Sequence, residues 1–406
     1  MLSPSEETML APPLALRRAR AVNEPVLPES DSREATAHWV DAQAGSLLRR
    51  VSEEAAQLDA SGQPLRREVL LEAARCGLLG ASLPRSVGGL GMSLPCWGRV
   101  LERVGYLCDD ASFTLNISLF QAVANMLLAS GNEQLIDRYV RPVCTGERLP
   151  AFAYTEDGDA FTLKSSFRAH GGDYLASGSK VMVTAGAMAD SYMTYLRNDA
   201  TGDMAVVMID RDSRGLRVEP IATMGLRASG LAALHFDAVR VPREQVITLE
   251  NGLEHVQAFL NPRRAMLCCA PVGRMQRIVD ECARMLAETE RYGAPLTSMQ
   301  LVQARLGRMQ MKTLSSRALV DAALGGLDAQ PGSDLFGEAI STAKHQITEH
   351  AIAVALESIR LTGARGYACN QHLERYLRDF CGMLSGAGAQ DVLEVNLGAI
   401  AAARVL

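Results

Sequence analysis

Thr155 and Thr184 are the residues whose type and position first suggest chemistry. Each ends a short extended run. Phe152-Ala-Tyr-Thr155 leads into the turn cluster Glu156-Asp-Gly-Asp159, and Val181-Met-Val-Thr184 stops at Ala185-Gly186. A threonine hydroxyl both donates and accepts a hydrogen bond. Two of them at strand ends, in a β-domain flanked by helices, suit a clamp for a flat ligand. A strand-end threonine also commonly caps its own turn, and the residues alone leave both roles open.

The elements that must position these residues follow from periodicity. Residues 1 to about 30 are rich in Pro, Ser and Glu and read as a flexible tail; Arg17, Arg18 and Arg20 there form a solvated or partner-facing patch. From about Ser32 to Gly146 the pattern is helical. Trp39, Ala42, Leu47, Leu48 and Val51 recur at helical spacing, and helices are expected at 94–107, 111–130 and Glu133–Val143. Leu83-Pro-Arg-Ser-Val-Gly-Gly-Leu-Gly91 reads as a loop whose glycines allow positive φ and close backbone approach. Residues 149–250 read as the β-domain. Tyr174–Ser179 looks like strand and turn, Tyr192–Leu196 and Met204–Ile209 look like strands, and Asn198–Asp203 is a hairpin turn. Residues 251–406 return to long helices, punctuated at Gly325-Gly326 and Pro331-Gly-Ser.

Composition narrows the classes. The chain has 406 residues, 48% of them hydrophobic, and a net charge of −5, so nothing electrostatic favours nucleic acid. No unbroken apolar run approaches the roughly 18 residues that span a bilayer. The nine cysteines lack metal-ligand spacing and read as reduced, small hydrophobes. With no signal-peptide pattern at the start, a cytoplasmic protein is expected.

Taken in order, Phe152-Ala-Tyr-Thr-Glu156, Gly178-Ser-Lys-Val-Met-Val-Thr184, Gly225-Leu-Arg-Ala-Ser229 and His235-Phe-Asp-Ala-Val-Arg-Val-Pro242 resemble successive segments of the acyl-CoA dehydrogenase superfamily. So do Arg291-Tyr-Gly-Ala-Pro-Leu296 with Gln300, Gly363-Ala-Arg-Gly-Tyr367, Glu374-Arg375 and Arg378-Asp379. The similarity spans roughly residues 35–406. It implies an α+β, mostly α fold: an N-terminal helical domain (31–148), a central β-barrel or sandwich and a C-terminal four-helix bundle. It also implies FAD. Phe152, Tyr154, Thr155, Met182, Val183 and Thr184 match the flavin-contacting segments, with Thr184 at the N5 edge; Met182 stands where an aromatic residue is usual. Arg291, Tyr292, Gln300, Arg360, Gly363 and Gly388 match the remaining cofactor positions. Because the family builds its FAD site across subunits, a homo-oligomer, dimer or tetramer, is expected.

The resemblance breaks at the catalytic base. Ala387 occupies the usual glutamate position, and Arg263-Arg264 occupies the alternative Glu-Arg position. Neither alanine nor arginine takes a proton from carbon, and a lost general base costs ~10²–10⁴-fold. The base is therefore unknown, Asp391 being four residues from the usual position. Phe161 replaces part of the family's substrate loop and reshapes the pocket. Arg263 either binds an anionic substrate group or is an exposed helix arginine. Three functions stay open: an acyl-thioester oxidoreductase on CoA or a carrier protein in a specialised biosynthetic route, a flavin-dependent monooxygenase, and a non-catalytic flavin-binding subunit. An electron-transfer flavoprotein or flavin reductase is the expected partner; no metal is expected.

Overall fold

The computed structural model describes residues 27–158, 162–329 and 337–404. The expected N-terminal tail with its arginines, Phe161 and the Pro331-Gly-Ser break lie outside these residues.

Helices α1 (Arg33–Ser61), α2 (Arg67–Arg75), α3 (Leu94–Leu107) and α4 (Ala111–Ala129) form the first layer, followed by the short α5 (Glu133–Leu135) and α6 (Arg141–Thr145), with a π-helical turn between them. Ser32, Ser93 and Asp110 start α1, α3 and α4 by accepting hydrogen bonds from otherwise unpaired first-turn N–H groups. Trp39, Leu47, Leu48 and Val51 are buried as the spacing predicts, but Ala42 is exposed and Ala44 takes the inward position. The loop before α3 needs its glycines: a Cβ on Gly89 would lie 2.1 Å from the Leu83 carbonyl oxygen. Although it contains no unbroken apolar run, α4 is long and apolar enough by composition to cross a membrane. It is mostly buried, packed against the β-domain and the bundle, which accounts for its apolarity on several sides.

The β-domain comprises β1 (Pro150–Ala153), β2 (Ser166–His170), β3 (Asp173–Val183), β4 (Ser191–Asn198), β5 (Met204–Asp210), β6 (Leu216–Pro220), β7 (Ala232–Val241) and β8 (Val246–Thr248). They form one sheet in the order β6-β7-β3-β2-β4-β5-β8, with β1 pairing parallel to β4. Along β5, Ala205, Val207 and Ile209 fill the sheet's own core, while Met204, Val206 and Met208 face the core shared with the helices. Alternation of period two thus serves two cores at once. Gly178-Ser179 is not a turn. β3 runs through it as one strand with register shifts at Ala176/Gly178 and Lys180/Val183, and Gly178 has φ 123°.

The C-terminal part contains α7 (Gly252–Ala287), a hairpin of β9 (Glu290–Arg291) and β10 (Ala294–Pro295), α8 (Gln300–Ala329), α9 (Glu338–Thr362), α10 (Ala364–Tyr367), α11 (Leu373–Cys381) and α12 (Gln390–Ala403). Only α7, α8 and α9 are long; α11 and α12, of 9 and 14 residues, are shorter than the sequence suggests. Gly325 and Gly326 continue α8 rather than ending it, because one helical glycine costs only ~1 kcal/mol and packing by neighbours such as Leu324 and Leu327 offsets it.

Candidate active site

The end of β1 is tied to β3. Val181 N donates to the Thr155 carbonyl at 2.8 Å, so the two threonines lie on neighbouring strand ends. The Thr184 hydroxyl has no hydrogen-bond partner among the described residues. Between them Met182 adopts φ 57° and is 53% exposed, an open apolar surface at the register shift. Phe152 and Val183 behave differently. Phe152 stacks on Phe259 of α7 with centroids 4.1 Å apart, and Val183 is buried in the sheet core. Val183 therefore leaves only its backbone for a ligand, whereas the Phe152 ring is half-buried. Tyr154 lies beside this aromatic group, edge-on to Tyr195 at 5.4 Å.

Sequence reasoning missed what holds these strand ends. Lys180 is fully buried and donates to the Tyr154 carbonyl (3.1 Å) and to Glu156 Oε1 (2.6 Å). Glu156 also accepts from the Ser165 hydroxyl and from Lys164 N (2.6 Å). Burial pushes the Lys180 pKa down to about 8, with Glu156 opposing that fall. Burial works to raise the Glu156 pKa, but the hydrogen bonds from Lys180 and Ser165 outweigh it and hold the carboxyl below its usual range. The pair is a buried ionic brace under Tyr154-Thr155. A signal was present: lysine is rare in this chain, and Lys180 stands inside an apolar strand where a solvated lysine has no place.

A second assembly surrounds Ala387. Its carbonyl accepts from Arg264 Nε (2.6 Å), and the Gly388 carbonyl accepts from buried Lys344 Nζ (2.6 Å). Ala387 itself has φ 56° and Gly388 φ 114°, so the loop is held in a left-handed path by two cations. A cavity of about 50 Å³ lies between α3, α4, α7 and α11, walled by Leu101, Leu115, Ser118, Leu226, Met266 and Asp379 among others. The Arg378-Asp379 pair fixes one wall: Arg378 pairs with Asp59 (2.7 Å) and Glu374 (2.7 Å), and Asp379 accepts from Leu226 N (2.7 Å). Burial raises the Asp379 pKa to about 7. Arg263 is not an exposed helix arginine. It is 6% exposed and donates to Ser118 Oγ at 2.7 Å, because it falls on the face of α7 that packs on α4. Asp391 is in the first turn of α12, beyond the loop.

The other predicted cofactor residues gather at one end of the bundle. Arg291 is in β9, and Tyr292, at φ 54°, is 98% exposed. Arg365 Nη1 donates to Thr289 Oγ1 (3.3 Å), joining this hairpin to the Gly363 turn. Arg305, near the Gln300 start of α8, pairs with Glu357 (2.5 Å), which also faces Arg360 at 3.6 Å. All nine cysteines are free, and no metal-binding cluster of His, Cys, Asp or Glu occurs among the described residues.

A helical domain, a bulged sheet with open hydroxyls at its strand ends and a helical bundle with an exposed tyrosine make up a helix–sheet–helix class of fold with surface open to a ligand. Three family models match in sequence: acyl-CoA dehydrogenase N-terminal domain at residues 37–147, middle domain at 151–239 and C-terminal domain at 250–403. The chain belongs to the acyl-CoA dehydrogenase superfamily, whose cofactor is FAD. It is 28% identical to an L-prolyl-[peptidyl-carrier protein] dehydrogenase of Pseudomonas fluorescens, over 78% of this chain and 85% of that one. It is 26% identical to FkbI, a protein for biosynthesis of a methoxymalonyl extender unit, with a TM-score of 0.80 over 89% of this chain and 99% of that one. An FAD complex of PigA shares the fold, at 20% identity and a TM-score of 0.84 over 92% and 98% of the two chains. The residues present fit such a cofactor: Thr184 has a hydroxyl without a partner among the described residues, and Met182 and Tyr292 present exposed apolar surface.

Proposed function

We propose that the protein is an FAD-dependent oxidoreductase acting on an acyl thioester carried by CoA or by a carrier protein, in a specialised biosynthetic route. FAD supplies the two-electron acceptor when bound. Thr155, Met182 and Thr184 would hold its flavin, the threonines by hydrogen bonds and Met182 by apolar contact, and the Lys180–Glu156 brace keeps those strand ends in place. The observation that carries the reading is the mostly apolar cavity between α3, α4, α7 and α11, of a size to take the end of a short acyl chain. Arg291, Tyr292, Gln300, Arg360 and Gly363 bind the adenosine half, with a second copy of the chain completing the site.

One observation favours a monooxygenase as the second reading: neither Ala387 nor Arg263 can serve as the base that removes an α-proton. Turnover of aminoacyl and simple acyl thioesters, with and without oxygen and with a supplied flavin reductase, separates the two by product mass. Loss of two hydrogens under anaerobic conditions with an artificial electron acceptor supports the first reading. Gain of one oxygen atom, only with oxygen and reductase, overturns it in favour of the second. Purified protein without bound flavin, and unable to take it up, overturns both.

A further inference from the structure

Arg263 carries a full positive charge into the interior without a counter-ion. Its recorded hydrogen bond is to the Ser118 hydroxyl at 2.7 Å, and no carboxylate pairs with it among the described residues. Ser118 in turn donates to the Leu115 carbonyl (2.9 Å), so it is a fixed neutral acceptor. Burial lowers the Arg263 pKa to about 10, which still leaves it protonated near neutral pH. A lone buried guanidinium is costly unless something compensates it.

The surroundings say where the compensation would come from. Met266, Leu267 and Ala270 line the cavity, and they lie three, four and seven residues after Arg263, on one face of α7. Ser118, the residue that anchors the guanidinium, is itself in the cavity wall. The neighbouring cations are already engaged: Arg264 holds the Ala387 carbonyl and Lys344 the Gly388 carbonyl. Asp379, also in the wall, accepts from Leu226 N and forms no ion pair with Arg263. Arg274, in the wall itself, donates to the Gly105 and Asp109 carbonyls (3.0 Å each) and lies over the Tyr376 ring, and Arg375, which has buried nitrogens without a partner, is not in the wall. Arg263 is thus a buried cation with only a hydroxyl as acceptor, next to the cavity at its Ser118 side.

We propose that the acyl group of the substrate carries its own carboxylate, which pairs with Arg263. This rests on the thioester reading above and narrows it to short acyl thioesters with a terminal carboxylate. A planar guanidinium offers two parallel donors to a carboxylate, and Ser118 keeps the fork from rotating.

The test is calorimetric titration of the full-length flavin-loaded protein with matched pantetheine thioesters: succinyl against butyryl, and glutaryl against valeryl. Pantetheine is common to CoA and carrier proteins, so the handle is neutral between them. At least one carboxylated member should bind ten-fold or more tightly than its neutral partner. Arg263→Gln should abolish that preference, and Arg263→Lys, which keeps the charge, should retain part of it. Ser118→Ala, which leaves the cation in place, should keep the sign of the preference and guards against a folding artefact in Arg263→Gln. Neutral members binding as well as or better than carboxylated ones overturn this inference and leave the thioester reading intact. Failure of every thioester to bind overturns both.

Discussion

Thr184 offers the sharpest test at a single residue. Its hydroxyl bonds nothing among the described residues, so Thr184→Val should leave the unfolding temperature of the flavin-free protein almost unchanged. Flavin affinity should fall by ~1–3 kcal/mol, the usual cost of losing one buried hydrogen-bond partner, and equilibrium dialysis reads it directly. Equal affinity in both proteins would remove Thr184 from the site. Lys180 should behave in the opposite way. Lys180→Met strands the Glu156 carboxylate inside the protein and should destabilise even the flavin-free form by ~3–5 kcal/mol in chemical denaturation. Ala387→Glu is a gain-of-function test. From the sequence, burial would raise the new carboxyl's pKa. The structure puts Arg264 and Lys344 against this loop, and both favour the ionised form. The variant should therefore hold a charged base across the neutral range and yield measurable dehydrogenation of a simple acyl-CoA, absent in the natural protein. Ordinary dehydrogenase rates in the natural protein would show that another residue already moves the proton.

Among the elements, the crossing of α3 and α7 is the most exacting. A Cβ on Gly273 would lie 1.8 Å from the Glu102 carbonyl oxygen, and one on Gly105 would lie 2.1 Å from that of Ala270. These are backbone clashes that no rotamer relieves. Gly273→Ala should cost ~1–3 kcal/mol or more by forcing the helices apart, and should also loosen the Ala270 wall of the cavity. A thermal shift below one degree would contradict this. The same α7 carries a titrating group near its start. His255 is hydrogen-bonded to the Tyr195 hydroxyl (2.7 Å), and burial pushes its pKa down to about 4. The unfolded chain takes up that proton below about 6.5. Between the two values the unfolded state binds more protons, so this term makes stability rise with pH from about 4 to about 6.5 and is lost on acidification. Asp379 acts in the other direction. With its folded pKa raised to about 7, the native state binds more protons from about 4 upward, and stability declines as pH rises through that range. Calorimetry between pH 4.5 and 7.5 should find a flatter rise in His255→Gln and a steeper one in Asp379→Asn.

At the scale of the whole molecule, the feature that needs explanation is the open end of the bundle. Tyr292 is 98% exposed, with Tyr367 at 80% and Leu301 at 70% on the elements that adjoin it. Single exposed apolar residues are common, but a group of them around a predicted cofactor site points to a contact surface. Sedimentation should show a dimer or tetramer at micromolar concentration. Tyr292→Ser should shift the chain towards smaller species and release flavin together with that shift. A monomer that retains flavin would rule out a shared site.

Periodicity and ordered motifs were enough to determine the helix–sheet–helix plan, the ends of α3 and the two strand-end threonines. These depend on local pattern, which a sequence carries on its face. The register of β3 was not legible, because a bulge at Gly178 and a turn at Gly178 use the same residue types. Nor was the burial of Arg263. Its α-helical position was readable, but Ser118 lies 145 residues away, and only the packing of α4 on α7 brings the two together. The Lys180–Glu156 brace and the two cations on the Ala387 loop were hidden for a related reason. Charge is read from sequence as exposure, whereas burial is decided by what packs around it, and that is a property of the tertiary structure alone.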